Sequence, residues 1–299
     1  MRLWIGILAV LIGSTGKGWG HLPADKVYKV FQFPDTLVPQ IDGDLGEWGI
    51  VDATYIITTD DMSDLVGDRT GGRADFDTRV ILGWNKTLNR LYIAAQVDDD
   101  LHQIDRPAGS AELQIFQDDD FEVFLDADHS GGQYADFSDL NPEDQLLLNG
   151  TEANHFILAA PPPDEVFFVN FSAAIWYALE NGEHTVVAYQ LDGDLGQAST
   201  MNYEMMLSPF DTINISAAFL SKKHILEDDQ ILGFNIEFND FDLVSTLFDA
   251  KFSLSGGQNA FKFSHRFSDV QLMPLEGIFR PTSVDEMSWG RIKASFNSN

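Results

Sequence analysis

Short stretches in which apolar and polar residues alternate recur from residue 27 almost to the end of the chain, each closed by Gly, Pro, Asp or Asn. A period of two marks a strand with one buried face. Residues 27–33 alternate and stop at Pro34. Residues 78–84 and 91–97 place β-branched and aromatic side chains on either side of the polar stretch Asn85 to Arg90, which predicts a hairpin. Residues 185–191 and 201–207 predict another. Further strands are expected at 53–58, 121–125, 155–160, 166–171 (continuing through 173–179), 231–238, 251–254, 260–265 and 270–273. Residues 60–77 read as a long loop rich in Asp and Gly, and 142–151 as a linker holding one helical turn. The pentapeptide Asp42 to Gly46 returns at Asp192 to Gly196 as recurring turn chemistry. No long amphipathic helix is visible. Many short strands with turns between them make this an all-β chain, an antiparallel β-sandwich.

Charge narrows the partners. Lys and Arg number 18 against 47 Asp and Glu, a net charge of -29. Such a chain repels nucleic acid and anionic membrane surfaces. It suits cation binding or an uncharged partner. A hydrophobic content of 44% excludes wholesale disorder, and 23 Phe supply an aromatic core. With no cysteine, disulfides, thiolate metal sites, Cys nucleophiles and a lipoprotein anchor are all excluded. Met1-Arg2 followed by the apolar run 3–12 reads as a secretory signal, too short to span a bilayer comfortably. The chain thus divides into a signal peptide at 1–20, a β-sandwich at 26–273 and a tail at 274–299, with a final amphipathic strand expected around 287–296. The mature protein is expected to be exported and soluble, at a cell surface, in a periplasm or in the medium.

The stretch Phe116 to Gly132 carries the candidate chemistry. Glu122 lies on an otherwise apolar strand, pointing away from Phe121 and Val123, so it has to be paired, metal-bound or ligand-bound. Phe116 beside Gln114, Gln117 and Glu122 forms a ligand platform, the alternative being plain packing. Asp126, Asp128 and Ser130 put oxygens at every second residue before Gly131-Gly132, and Asp136 lies far enough on to close a calcium loop. The twelfth-position glutamate of an EF-hand is absent, and an acidic solvated turn is the competing reading. Asp98, Asp99, Asp118 and Asp119 offer further calcium oxygens. Trp48 and Trp84 sit in apolar patterns and read as core. Carboxylates are too abundant for any glycosidase pair to stand out, and no Gly-x-Ser-x-Gly, His-Glu-x-x-His or phosphate loop occurs.

Four pieces in order resemble one family: Ile41-Asp42-Gly43 with Glu47-Trp48; Trp84 with Leu91-Tyr92 and Val97-Asp98-Asp99; Asp119 to Asp126; and Gly233-Phe234-Asn235-Ile236 with Asn239-Asp240. Together, over about residues 37–273, they resemble the family 9 carbohydrate-binding modules, a jelly-roll-like β-sandwich related to DOMON domains. The resemblance implies a non-catalytic, calcium-stabilised module that holds sugar chain ends between two tryptophans. It places Phe116 on the first tryptophan and Glu122 on a sugar-bonding glutamate. It sets Phe156 near the position of a lost arginine and Leu254 on the second tryptophan. Haem-binding DOMON relatives would need axial ligands such as His155 with Met201, Met205 or Met206. The expectation is an exported, calcium-stabilised sandwich that binds carbohydrate through Phe116, Glu122 and Gln114 without catalysis. The alternative is a structural or surface-interaction protein whose sugar cleft is filled by Phe156 and Leu254.

Overall fold

The computed structural model describes residues 21–66, 72–179, 182–242 and 248–280. The expected signal peptide and the strand at 287–296 lie outside them. Fifteen strands follow in chain order among the described residues. They are β1 Val27–Gln32, β2 Ile56–Thr58, β3 Ser63–Asp64, β4 Phe76–Asn85, β5 Arg90–Asp99, β6 Asp120–Asp126, β7 Asn154–Leu158 and β8 Phe168–Asn170. Then come β9 Thr185–Asp192, β10 Ser199–Leu207, β11 Phe210–Thr212, β12 Lys222–Lys223, β13 Ile231–Asp240, β14 Ala250–Ser253 and β15 Ser268–Leu272.

One layer runs β8-β7-β6-β13, with β15 on one end of β13 and β14 on the other. The second layer runs β4-β5-β10-β9, with β2 on the free side of β4. Strand β1 joins the layers, pairing in parallel with β15 at Val27–Val30 and with β4 at Phe31 and Gln32. All other pairings are antiparallel. The inward faces meet as the alternation requires: Phe121, Val123 and Leu125 of β6 pack with Phe234, Ile236 and Phe238 of β13 against Val80, Leu82, Ile93 and Tyr203. Phe121 stacks on Phe238 with centroids 4.9 Å apart and reaches Tyr203 across the layers at 5.8 Å. Trp84 and Trp48 are both core. The expected β-sandwich is therefore the observed one.

Trp48 belongs to a smaller cluster with Phe31, Phe33, Tyr55 and Tyr92 on the outer face of the second layer. One carboxylate ties this cover down. Buried Glu204 on β10 accepts hydrogen bonds from Asp42 N at 2.9 Å, Gly43 N at 2.6 Å and Trp48 Nε1 at 2.7 Å. Gly43 has φ +89°, and a side chain there would meet the Tyr189 carbonyl carbon at 2.7 Å, which explains the Asp-Gly of the first pentapeptide copy. Truncation of Glu204 to Ala leaves three donors without an acceptor. Each costs about 1–3 kcal/mol when buried, so a loss of about 3 kcal/mol or more is expected in urea unfolding; a loss under 1 kcal/mol would contradict this role.

Three expected strands are not strands. Residues 53–55 form a 3-10 turn, because Asp52 caps Thr54 N at 2.9 Å, and only Ile56–Thr58 extends. Within 173–179, Trp176–Leu179 is a helical turn. Adjacent Trp176 and Tyr177 both enter the core, which a strand's alternation forbids. Residues 260–265 are turns that lead into the 3-10 turn Ser264–Arg266, set up by Asn259 in the left-handed region and by Lys262 N and Phe263 N donating to Asn259 O. The expected helical turn is the helix Pro142–Leu148, capped by Asn141.

Candidate functional site

The pleat that sends Phe121 and Val123 inward sends Asp120 and Glu122 to the outer face of the first layer. Register then assembles a polar row. Glu122 lies opposite Glu237, Asn239 opposite Asp120, and Lys251 opposite Asn239. Lys251 Nζ donates to Glu122 Oε1 at 2.8 Å and Asn239 Oδ1 at 2.9 Å, and pairs with Glu237 Oε2 at 3.0 Å. His155 Nε2 lies 2.6 Å from Glu122 Oε2, and Asn239 Nδ2 donates to Glu122 Oε1 at 2.9 Å and Asp120 Oδ2 at 2.8 Å. Burial opposes charge on Glu122, but Lys251 and His155 overcome it and hold its carboxyl well below the usual range. Burial and the neighbouring Glu122 charge push Asp120 well above its usual range. Burial disfavours the Lys251 ammonium, yet Glu122 and Glu237 keep it protonated.

Above this row lies a cavity of about 1210 Å³. Glu122, His155, Glu237, Asn239 and Lys251 line it. Two partly exposed rings, Phe116 (37%) and Phe261 (45%), line it as well. Lys262 Nζ lies 5.2 Å from the Phe261 centroid and pairs with Asp136, so one side of that ring is supported. Asn170 of β8 also lines the cavity, and both atoms of its amide are buried with no hydrogen-bond partner among the described residues. This amide offers one donor group and one acceptor to whatever polar species, water or ligand, occupies the cavity.

Of the sequence-predicted residues, Phe116 and Glu122 are brought together. Gln114 is half-buried and does not line the cavity; Glu112 does. Phe156 and Leu254 are in the core, where Phe156 stacks on Phe168 with centroids 5.8 Å apart. They do not fill the cleft. Phe261, Lys251 and Asn170 were missed. Phe261 sits on a segment expected to be a strand, and nothing local marks Lys251 as the partner of a residue 129 positions earlier.

Asp126 is buried and closes its own loop, accepting from Ser130 N at 3.2 Å and Gly131 N at 2.8 Å. Asp128 and Ser130 are exposed. The other predicted oxygens separate. Asp118 is bound by Arg106 and its backbone, and Asp98 accepts from Thr200 Oγ1 at 2.6 Å. Asp119 accepts from Phe241 N at 2.7 Å and faces His102. Asp99, however, joins a cluster at the ends of β5 and β13. Oxygens of Asp99, Asp240 and Asp242 lie within 4.8 Å of one another, as do those of Asp75, Asp100 and Asp242. Oδ2 of Asp240 is buried with no hydrogen-bond partner among the described residues, and Asp99 Oδ2 has only His102 Nδ1 at 3.7 Å. Burial, with Asp119 and Asp99 close by, pushes Asp240 up to about 9, and burial with Asp75 and Asp100 pushes Asp242 up to about 6. An oxygen-only donor set with unsatisfied buried lone pairs fits a hard cation.

The haem reading fails on geometry. His155 faces the outer cavity of the first layer, whereas Met201 and Met205 are buried between the layers and Met206 packs on the outer face of the second. A sheet separates them.

No family model matches the chain, and no curated protein matches it by sequence. Among solved structures, the fold is of the family 9 carbohydrate-binding module type. A family 9 module from Caldicellulosiruptor kristjanssonii, in complex with cellotriose, superposes with a TM-score of 0.53 at 15% identity, covering 86% of this chain and 98% of that one. A family 9 module from the same organism, in complex with glucose, gives 0.47 at 18% identity, covering 86% and 100%.

Proposed function

We propose that this protein binds a carbohydrate in the cavity over β6, β7 and β13, without catalysis. The observation that carries this reading is the pair of exposed rings, Phe116 and Phe261, on one cavity whose floor holds Glu122, Asn239, Lys251 and the unpartnered Asn170 amide. Sugar C–H faces pack on phenyl rings, and the floor supplies the donors and acceptors that hydroxyls need. The similarity of fold to a module that holds cellotriose supports this class of ligand. Glu122 is ionised but already accepts three protein hydrogen bonds, so it acts chiefly by orienting Lys251 and Asn239. Glycoside hydrolysis needs one carboxyl group as acid and a second free to act as base or nucleophile, and both oxygens of Glu122 are already engaged by His155, Asn239 and Lys251. An open cleft, not filled by Phe156 and Leu254, argues against a decayed site.

Calcium belongs to the same proposal. Asp99, Asp240 and Asp242 would hold it, with Asp75 and Asp100 beside them, and the ion would neutralise a carboxylate cluster at the end of the sandwich. The Asp126-Asp128-Ser130 loop with Asp136 is the weaker candidate, because Asp126 is used by backbone donors and Asp136 by Lys262. Export with loss of residues 1–20 completes the reading.

The test is calorimetry or NMR titration with glucose, cellotriose and a panel of other oligosaccharides. Binding with a Kd between about 10 µM and 1 mM is expected, about 4–7 kcal/mol. Phe261→Ala and Phe116→Ala are each expected to weaken it at least tenfold with the fold intact. A sugar that binds wild type and both variants equally would place the site elsewhere, and no binding across the panel would leave the surface-interaction reading in its place.

A further inference from the structure

A second cluster lies apart from the cavity, where the segment ahead of β1 crosses the loop after β6. His21 is buried, and its Nδ1 stands 2.7 Å from Asp269 Oδ1. His129 Nε2 stands 2.9 Å from the same oxygen. The two imidazoles lie 3.9 Å apart, centroid to centroid, tilted by 36°. Both ring nitrogens of His21 are buried and neither has a hydrogen-bond partner of good geometry among the described residues. Nδ1 faces only a carboxylate oxygen that His129 shares, and Nε2 has no hydrogen bond of good geometry, so the buried ring keeps capacity for a further ligand.

The surroundings are shaped for this meeting. His129 holds φ 57°, a left-handed conformation unusual outside glycine, and it turns the ring toward Asp269. The loop that carries it is fixed by Asp126 through Ser130 N and Gly131 N. Asp269 is anchored in β15 between Val27 and Gly233. Gly233 leaves the room that the His21 ring occupies, since a Cβ there would stand 3.1 Å from His21 Cε1.

We propose that His21, His129 and Asp269 bind a divalent transition metal ion of the class that imidazole favours, such as Zn²⁺ or Cu²⁺. Nδ1 of one ring, Nε2 of the other and one carboxylate oxygen lie within 4.8 Å of one another. Two nitrogens and one oxygen suit these ions, whereas Ca²⁺ takes oxygen alone. Donors around a tetrahedral zinc, bound at about 2.0–2.1 Å, stand roughly 3.3 Å apart. The observed spacings of 2.7 and 2.9 Å therefore need a small expansion. His129 and Asp269, with side chains 32% and 29% exposed, have the freedom to make it. The bound ion would fasten the start of the domain to the β6 loop and to β15. Sugar binding is not required for any part of this.

Calorimetry with ZnCl2 on the chelator-treated, full-length protein in Ca²⁺-containing buffer tests it. One Zn²⁺ per chain with a Kd of micromolar or tighter is expected. His129→Ala and Asp269→Asn should each weaken it at least tenfold. Both positions are partly exposed, and circular dichroism should show both variants folded. Co²⁺ in place of Zn²⁺ should give visible absorption bands in the wild type that His129→Ala removes. Absence of Zn²⁺ binding at 100 µM, or equal affinity in wild type and His129→Ala, would overturn the proposal.

Discussion

Replacement of Lys251 by methionine is expected to destabilise the protein by about 3–5 kcal/mol, the usual cost of breaking a buried ion pair from one side. The ammonium is the one cation that touches both Glu122 and Glu237 among the described residues, at 2.8 and 3.0 Å. Methionine fills the volume but leaves two buried carboxylates facing each other across β6 and β13. The first layer then has to protonate one of them or admit water. Because Glu122 owes its low pKa to Lys251 and His155, the cost should be largest near neutral pH and shrink as the pH falls and Glu122 takes a proton. Adding Glu122→Gln to Lys251→Met should recover a large part of the loss, since the repulsion is removed. Urea unfolding of the single and double variants at pH 5 and pH 7.5 measures this. A loss below 1 kcal/mol in the single variant would show that the row is not held together by this charge.

The acidic cluster leads to an expected dependence of stability on pH and calcium. In chelator, the protein should lose stability as the pH rises from about 5 to 9. Asp240 is pushed up to about 9 and Asp242 to about 6 in the folded protein, whereas an unfolded aspartate titrates near about 3.9. Between the unfolded and folded values the folded state binds more protons, so each increment of pH favours unfolding. Burial opposes the charge on His102, but Asp119 and Asp99 raise it to about 10, which acts in the same sense: its contribution is complete below its unfolded value and is lost as the pH climbs through the folded one. The combined loss is on the order of a few kcal/mol. Calcium should reverse the trend. It binds ionised oxygens and expels protons, so its stabilisation grows with pH. At one hundred times its dissociation constant it adds about 2.7 kcal/mol. Melting temperatures in chelator and in millimolar CaCl2 at pH 5, 6.5 and 8 should diverge as the pH rises, and Asp240→Asn should flatten the chelator curve. Parallel curves in the two buffers would reject a cation at this cluster.

The proposed sugar site and the proposed transition-metal site report on different surfaces. Lys251→Met should damage the first and leave Zn²⁺ binding intact, because among the described residues no hydrogen bond or ion pair joins His21, His129 or Asp269 to the Glu122 row. A common loss in both assays would point to a general loosening of the first layer.

What the chain carried in its own order was the strand content. The period-two runs at β4, β5, β9, β10 and β13 were readable because alternation is local: it needs only neighbouring residues and one buried face. The same rule put Phe121 and Val123 inside and Glu122 outside, and identified Trp48 and Trp84 as core. It failed where a side-chain cap, adjacent large residues or a left-handed backbone turn overrode the pattern, at Asp52, at Trp176-Tyr177 and at Asn259. Only the tertiary structure decided what Glu122 meets. Lys251, Asn239 and Phe261 come from segments more than a hundred residues away, and their meeting depends on the register of β6, β13 and β14, which no single strand encodes. The acidic cluster joins the end of β5 to the end of β13, and the His21, His129 and Asp269 cluster joins three segments for the same reason. Pairing between distant strands brings their side chains together, and the free energy of that pairing is spread over the whole core rather than written in any one stretch of sequence.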